Sequence, residues 1–303
     1  MTFNVRGVRA KLLTAVLVAA LLPLAIATTI AVHRTRGTVR EQVGNARADM
    51  AAQVASGLDR VMLERSLELR GAATSGEIAA AALGYGDSAA TKASLAALVT
   101  RSGLLRSARL YSARGALVAS STGSPSDIEG AGKALFERAL AAPQRSFVGS
   151  VEREAGGQTV VNIAQAVTTA AGAAGVLIVD VDWEALMVQS LGSIERSSHR
   201  GRAATVRAYL VNESGRVIGS TRREEMLQES VDAPDLVTLL RTDSAGTLVT
   251  PLFKGAASLV GYAPLRLSGD RTGNRMSGDA RAGVIIAEET QFAFAQASVL
   301  QWL

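Results

Sequence analysis

Side chains able to do chemistry are few in this sequence. Cysteine is absent, and histidine occurs only at His33 and His199, both in basic, polar surroundings. Disulfides, thiolate zinc sites and thiol nucleophiles are thereby excluded, and no two-histidine metal motif at helical spacing exists. Asp180 and Asp182 alternate along Gly175–Asp182 (GVLIVDVD), so they share one face of a strand. With no histidine or metal-ligand cluster beside them, they do not form an acid–base pair. No phosphate-cradling glycine loop occurs either. These residues point to binding and not to a reaction, and no cofactor is expected.

Candidates for binding sit on strands and one helix. Arg109 and Tyr111 flank Leu110, so they share a face that lines a pocket or meets water. Asn162 interrupts the apolar run VVNIAQ and is either satisfied structurally or aimed into a pocket. Asp180 ends an apolar strand, where a carboxylate needs a partner; Asp182 is better placed to cap the helix beginning at Trp183. Phe136 and Phe147 have the character of core residues. Arg196, Arg200, Arg202 and Arg207 cluster in a basic stretch that reads as a solvated linker, with lipid or nucleic-acid contact as the rival reading. The net charge of +5 is mild and aromatics are only 4%, too few for base-stacking platforms, so no nucleic-acid partner is expected.

The elements that must position these residues form a repeat. Arg109–Ser121 (RLYSARGALVASS) is a strand, a turn at Gly115 and a second strand. Ala208–Thr221 (AYLVNESGRVIGST) repeats it around Gly215, with Ser120 and Ser220 each five residues past the glycine. Downstream, Val161–Val167 matches Val260–Leu265, and Ala174–Asp180 matches Ala282–Glu288, which makes Glu288 the expected counterpart of Asp180. Arg266–Arg281 is an inserted loop, rich in Gly, Asp, Asn and Ser. Ahead of the repeat, the spacing predicts one long helix from Thr38 to about Ala82. Its apolar stripe is Val39, Val43, Ala46, Met50, Val54, Leu58 and Val61, with Arg47 and Asp49 on other faces. Lys92–Thr100 is a second helix.

Leu12–Val32 is an uncharged run of 21 residues, long enough for about 30 Å of hydrocarbon. It reads as an uncleaved anchor; a signal peptide cut after Ala25-Ile-Ala27 is the alternative. Basic residues flank both ends, so charge does not orient it, and the short tail before a large domain places the tail inside. Phe292–Leu303 has the apolar character of a second membrane helix but is too short to cross.

A span, a long helix and two α/β units in this order resemble the double Cache sensor domains of bacterial transmembrane receptors: tandem PAS-like extracytoplasmic modules of chemoreceptors, sensor histidine kinases and diguanylate cyclases. Lys133–Ala139 (KALFERA) and Gly175–Leu186 (GVLIVDVDWEAL) carry the resemblance most specifically. It implies an α+β fold: an N-terminal transmembrane helix, a long stalk helix and two tandem PAS-like antiparallel-sheet units. The expected layout is 1–11 cytoplasmic tail, 12–32 span, 33–100 stalk and connecting helix, 101–192 membrane-distal unit, 193–204 linker, 205–291 membrane-proximal unit and 292–303 the truncated start of a second membrane helix.

Amino-acid-sensing members carry Arg-x-Trp-Tyr where this chain has Lys133, Leu135 and Phe136, and the later Tyr-x-Asp is absent near Val151–Arg153. Their closing acid, which holds an amino group, matches Asp180. Ser120 and Ser121 fall where members hydrogen-bond ligands. The resemblance therefore implies a distal site of Arg109, Tyr111, Ser120, Ser121, Lys133, Phe136, Asn162 and Asp180 for a small anionic or zwitterionic metabolite. It also implies plasma-membrane anchoring. The narrow stripe of the long helix, at coiled-coil-like spacing, predicts a parallel homodimer through the stalk; packing of the stripe on the chain's own repeat units, near residues 58 to 80, is the rival reading. A ligandless interaction or structural module of the envelope is the alternative.

Overall fold

Glycine at positions 115 and 215 sets the frame of both units. Each has a positive φ, 83° and 84°, which glycine adopts without a Cβ clash. Each turns a short hairpin: β1 (Leu105–Ser112) into β2 (Leu117–Ser120), and β6 (Arg207–Asn212) into β7 (Val217–Ser220). The structure, a computed structural model, describes residues 38, 41–122, 128, 130–154, 156–198, 206–242, 244–253, 255, 257–265 and 282–293. The span Leu12–Val32, Val39, linker positions 199–204, the inserted loop 266–281 and residues 294–303 lie outside them. Among the described residues no helix is long and apolar enough to cross a membrane.

The first sheet adds β3 (Ser146–Arg153), β4 (Thr159–Thr169) and β5 (Gly172–Asp182), and the second adds β8 (Gly246–Pro251), β9 (Ala257–Leu265) and β10 (Ala282–Glu289). Their orders, β2-β1-β5-β4-β3 and β7-β6-β10-β9-β8, are the same. Every pairing is antiparallel, and both first strands carry a bulge at the same place, Leu110/Tyr111 and Leu210/Val211. Two antiparallel sheets built by repetition are what the repeated hairpins predict, and their PAS-like form is what the resemblance implies.

The helices divide between the two faces of each sheet. Helix α1 (41–73), α2 (Gly76–Ala82) and α3 (Ser88–Ser102) cover one face. On the other face lie α4 (Gly130–Ala141) in the first unit and α6 (Pro234–Leu240) in the second. Helix α5 (Trp183–Ser198) joins the units and takes up positions 193–198 of the expected linker, while α7 (Thr290–Ala293) follows β10. Trp183 Nε1 donates to the Ile218 carbonyl at 2.6 Å, Arg153 Nη2 to the Met226 carbonyl at 2.9 Å, and Arg223 pairs with Glu184 at 3.2 Å. One apolar core runs through α1, α5 and both sheets.

Two expectations about the long helix change. The helix does not run unbroken to Ala82: it stops at 73, and Ser75 caps α2 by accepting from the Ile78 N–H at 3.3 Å. A short hydroxyl that competes for backbone donors is a helix starter as much as a helix interior residue. The buried stripe is also rotated. Leu58 of the expected stripe faces the sheets, but together with Ala51, Ala55, Met62, Leu69 and Ala73, the alanines letting the backbone approach closely. Val43, Met50, Val54 and Val61 are half-buried on the flank, and the last three line a groove of about 410 Å³ shared with Gln189, Ser190 and Ile194 of α5.

Candidate functional site

Strand β5 organises the first unit, because period-two alternation sends its residues to opposite faces. Leu177, Val179 and Val181 join the core under α1–α3; Val176, Ile178 and Asp180 point toward α4. Register then assembles rows across the sheet. Asp180 pairs with Ser107 on β1 and Asn162 on β4; Ile178 pairs with Arg109 and Ala164; Arg109 pairs with Ser120 on β2. Five of the residues singled out from the sequence, Arg109, Tyr111, Ser120, Asn162 and Asp180, therefore come from four strands onto one face.

Asp180 is the buried centre of that face, 4% exposed. Its Oδ1 accepts from Arg109 Nη2 at 2.5 Å, and its Oδ2 accepts from the Ser107 hydroxyl. A charge this deep is tolerated because it is both ion-paired and hydrogen-bonded. Ser107 was not singled out from the sequence, although its spacing of two from Arg109 places it on the same face. Asn162 Oδ1 is buried and has no hydrogen-bond partner among the described residues. Tyr111 and Phe136 meet edge to face at 6.3 Å between ring centres, inside a small apolar core with Leu135, Ala139 and Phe147.

Lys133 and Ser121 stand apart from this centre, and Ser120 lies at its edge on β2. Lys133 is exposed on α4. Ser121 extends the hairpin pairing: its N–H donates to the Ala108 carbonyl and its Oγ accepts from the Ala108 N–H, both at 2.9 Å. Ser120 Oγ lies 3.2 Å from Thr122 Oγ1 and accepts from the Thr122 N–H. Asp182 caps α5 as expected, accepting from Ala185 N at 2.9 Å. Among the described residues no group of three or more carboxylates, histidines or cysteines is placed to hold a metal.

The second unit corrects the expected equivalence of Asp180 and Glu288. Tyr209 pairs with Ser220 and Ile285, as Arg109 pairs with Ser120 and Ile178. Ile285 thus corresponds to Ile178, and Ala287 to Asp180. Glu288 is one residue further and so points to the opposite face, where Arg47 of α1 meets it at 2.6 Å through Nη2 and 3.2 Å through Nε. Arg47 accordingly lies against the second sheet, not on a polar outer face. The row Ser107–Asp180–Asn162 becomes Arg207–Ala287–Val260, with no acid at its centre.

Instead, Glu225 reaches in from the turn after β7. It accepts from Ser220 Oγ at 2.7 Å and lies 3.7 Å from Arg207 and 3.6 Å from Arg222. Beside it, burial pushes the Tyr209 phenol above its usual 10.0, while the hydrogen bond from Arg207 opposes the shift. The sign follows from linkage: a folded-state value above the unfolded one gives stability that is full below pH 10 and is lost as pH rises through the folded value. Tyr209→Phe should therefore flatten the alkaline fall in melting temperature, read from about pH 9 to 11. An unchanged slope would mean that another group sets that limb.

A family model for the Cache domain (dCache_1) matches residues 33–294. Among curated proteins none matches significantly. Among solved structures, the ligand-binding domain of the Pseudomonas fluorescens chemoreceptor CtaA in complex with L-leucine is 18% identical with a TM-score of 0.57, covering 85% of this chain and 99% of that one. The ligand-binding domain of the Pseudomonas aeruginosa PAO1 amino-acid chemoreceptor PctC in complex with GABA is 19% identical with a TM-score of 0.58, covering 81% and 99%. That of Mlp24 with asparagine is 14% identical with a TM-score of 0.58, covering 86% and 99%. At these identities the likeness is one of fold.

Proposed function

The chain belongs to the Cache domain family, in its double-Cache form, an extracytoplasmic sensor module and not an enzyme, and on that premise we propose that it is a membrane-anchored sensor. In this reading Leu12–Val32 is the anchor in the plasma membrane, and a small anionic or zwitterionic metabolite binds the first, membrane-distal unit. The observation that carries it is the row of buried Ser107 and Asp180 and half-buried Asn162 with Arg109 beside it, which the second unit does not repeat. An apolar α4 face around a few convergent polar groups is the usual make-up of a small-molecule site. Arg109, Tyr111, Ser120, Asn162 and Asp180 form the site, with Phe136 as its apolar wall and Ser121 holding the strand end; Lys133 guides an anion from the surface.

The solved relatives named in complex with L-leucine, GABA and asparagine support a metabolite of similar size. Packing supports the order of the units: α1 meets the second unit near its start, at Arg47, and the first unit near its end, where Arg70 donates to the Gln144 carbonyl at 3.3 Å. An anchor before α1 thus leaves the first unit farther from the membrane. Binding would pass inward by shifting α1 against β10, which requires different affinities in two states.

The test is a ligand-induced rise in melting temperature of the full chain across a metabolite panel, since only binding to the folded state stabilises it. Asp180→Ala should abolish the rise and Ser220→Ala, its control in the second unit, should keep it. The reverse result would move the site to the second unit.

The homodimer is proposed on the half-buried flank of α1. The chain has no native cysteine, so single cysteines report cleanly. In membranes, those at Val43, Met50 or Val54 should crosslink between chains more readily than those at Asn45 or Ser56, which are exposed on the opposite flank. Equal crosslinking at all five would remove the dimer, and a chain that does not sediment with membranes would remove the anchor.

A further inference from the structure

We infer that the second unit carries a carboxylate site of its own, filled by Glu225 of the same chain and kept filled by the first unit. The inference goes beyond the sensor reading, because it needs no ligand in the first unit. Register supplies the place. Arg207, Tyr209 and Ser220 stand in the second sheet where Ser107, Arg109 and Ser120 stand in the first. Ala287 takes the place of Asp180, so the strands put no acid at the centre of this face. Glu289, two residues further along β10, bears on Arg207 less than Glu225 does.

The acid comes instead from the turn after β7. Glu225 Oε2 accepts from the Ser220 hydroxyl at 2.7 Å, and Oε1 lies 3.7 Å from Arg207 and 3.6 Å from Arg222. Both guanidiniums stand off this oxygen by more than a hydrogen-bond length. Their side chains are 41% and 46% exposed, against 15% for Glu225. Arg207 otherwise donates to the Tyr209 hydroxyl, at 3.4 Å. Two cations from two elements therefore line one seat, which is reachable from solvent on the arginine side and holds its carboxylate loosely. A pair of guanidinium forks is suited to a carboxylate.

An acid on a strand is fixed, whereas one on a turn can leave. The first unit keeps Glu225 in place. Arg223, two residues before it, pairs with Glu184 of α5 at 3.2 Å and donates to the Gly157 carbonyl between β3 and β4. Met226, one residue after it, accepts at its carbonyl from Arg153 of β3 at 2.9 Å. Glu184 in turn accepts from the N–H of Thr159, the first residue of β4, at 2.9 Å. The same turn holds Leu227 at φ 64°, a left-handed conformation that leucine rarely adopts and that surrounding contacts must maintain. Loosening the ties to the first unit lets this turn relax and withdraws Glu225, and the vacated seat then takes a free carboxylate.

The experiment uses acetate, because Glu225→Ala deletes the CH2–COO⁻ group that acetate restores. Melting temperature of the full chain in detergent is read in sodium acetate up to about 50 mM, against sodium chloride at equal ionic strength. Glu225→Ala should gain about 2–4 °C from acetate beyond any gain of the parent; subtracting the parent's response removes acetate bound to the first unit. Adding Arg207→Gln to Glu225→Ala should abolish that gain. Arg153→Ala with Arg223→Ala cuts the ties while leaving Glu225 in the chain, and should acquire a gain that also depends on Arg207. This pair carries the test where Glu225→Ala fails to fold.

A gain in Glu225→Ala no larger than the parent's, or one that survives Arg207→Gln, overturns the site. An equal gain from sulfate overturns the carboxylate class. A gain in Glu225→Ala without one in the Arg153→Ala, Arg223→Ala pair overturns the hold by the first unit. None of these results depends on Asp180, so the sensor reading stands or falls separately.

Discussion

Replacing Arg47 by Met should lower the melting temperature of the full chain by roughly 6–12 °C. Glu288 is 6% exposed at its side chain, and Arg47, 19% exposed, holds it from α1. Removing the cation leaves a carboxylate inside the core between α1 and β10. Breaking a buried pair from one side costs about 3–5 kcal/mol, and the partial exposure of Arg47 places this case near the lower bound. The opposite change should be milder. In Glu288→Gln the stranded guanidinium lies close enough to solvent to be hydrated, and the amide can still accept from it. Arg47→Met with Glu288→Leu should recover most of the loss, because neither charge then remains to be desolvated. A double-mutant cycle reads the coupling directly. Additive single losses would mean that the two side chains do not act as a pair.

That pair also shows what sequence reading resolves and what it does not. The two hairpins, their glycines and the serines five residues beyond were legible, because turn chemistry is local. Both sheets follow from those hairpins and the strands after them. The face on which an acid lands was not legible. Ala174–Asp180 and Ala282–Glu288 look like the same segment in the same frame, yet the pairings to Arg109 and Tyr209 set Asp180 opposite Ala287. Strand side chains alternate, so one residue of register exchanges pocket for core. No property of either segment alone reveals it.

The stalk failed for a related reason. Hydropathy favoured the larger residues Val43, Met50 and Val54, whereas close packing against a sheet selected Ala51 and Ala55. In the first unit, Arg109, Tyr111 and Asp180 were placed on one face by alternation and by the resemblance. Ser107, which obeys the same alternation, was missed because a serine in a strand carries no signal until its partner is known.

The same close packing gives the second large effect, at Gly261. This residue lies in β9, hydrogen-bonded between β8 and β10, where it pairs with Thr247 and Ile286. A Cβ added here would overlap the Arg47 carbonyl and the Ala48 amide nitrogen of α1. Both neighbours are backbone, so no side-chain rotation relieves the clash. The strand is held on both edges; the helix has to lift. Lifting α1 at Arg47 also stretches the contact to Glu288, so the steric cost and the electrostatic cost arrive together. Overpacking of this kind typically costs about 1–3 kcal/mol and occasionally more, and Gly261→Ala should fall at the upper end, with Gly261→Val preventing stable folding. Gly71→Ala is the matched control. It lies in α1 itself, is exposed and has nothing within 4 Å of the added methyl, so it should stabilise by about 0.5–1 kcal/mol through helix propensity. Opposite signs for the two substitutions, read as melting temperatures of the full chain, would establish that α1 is seated on β9 at this point. A Gly261→Ala protein that melts with the parent would show that the helix is not docked there.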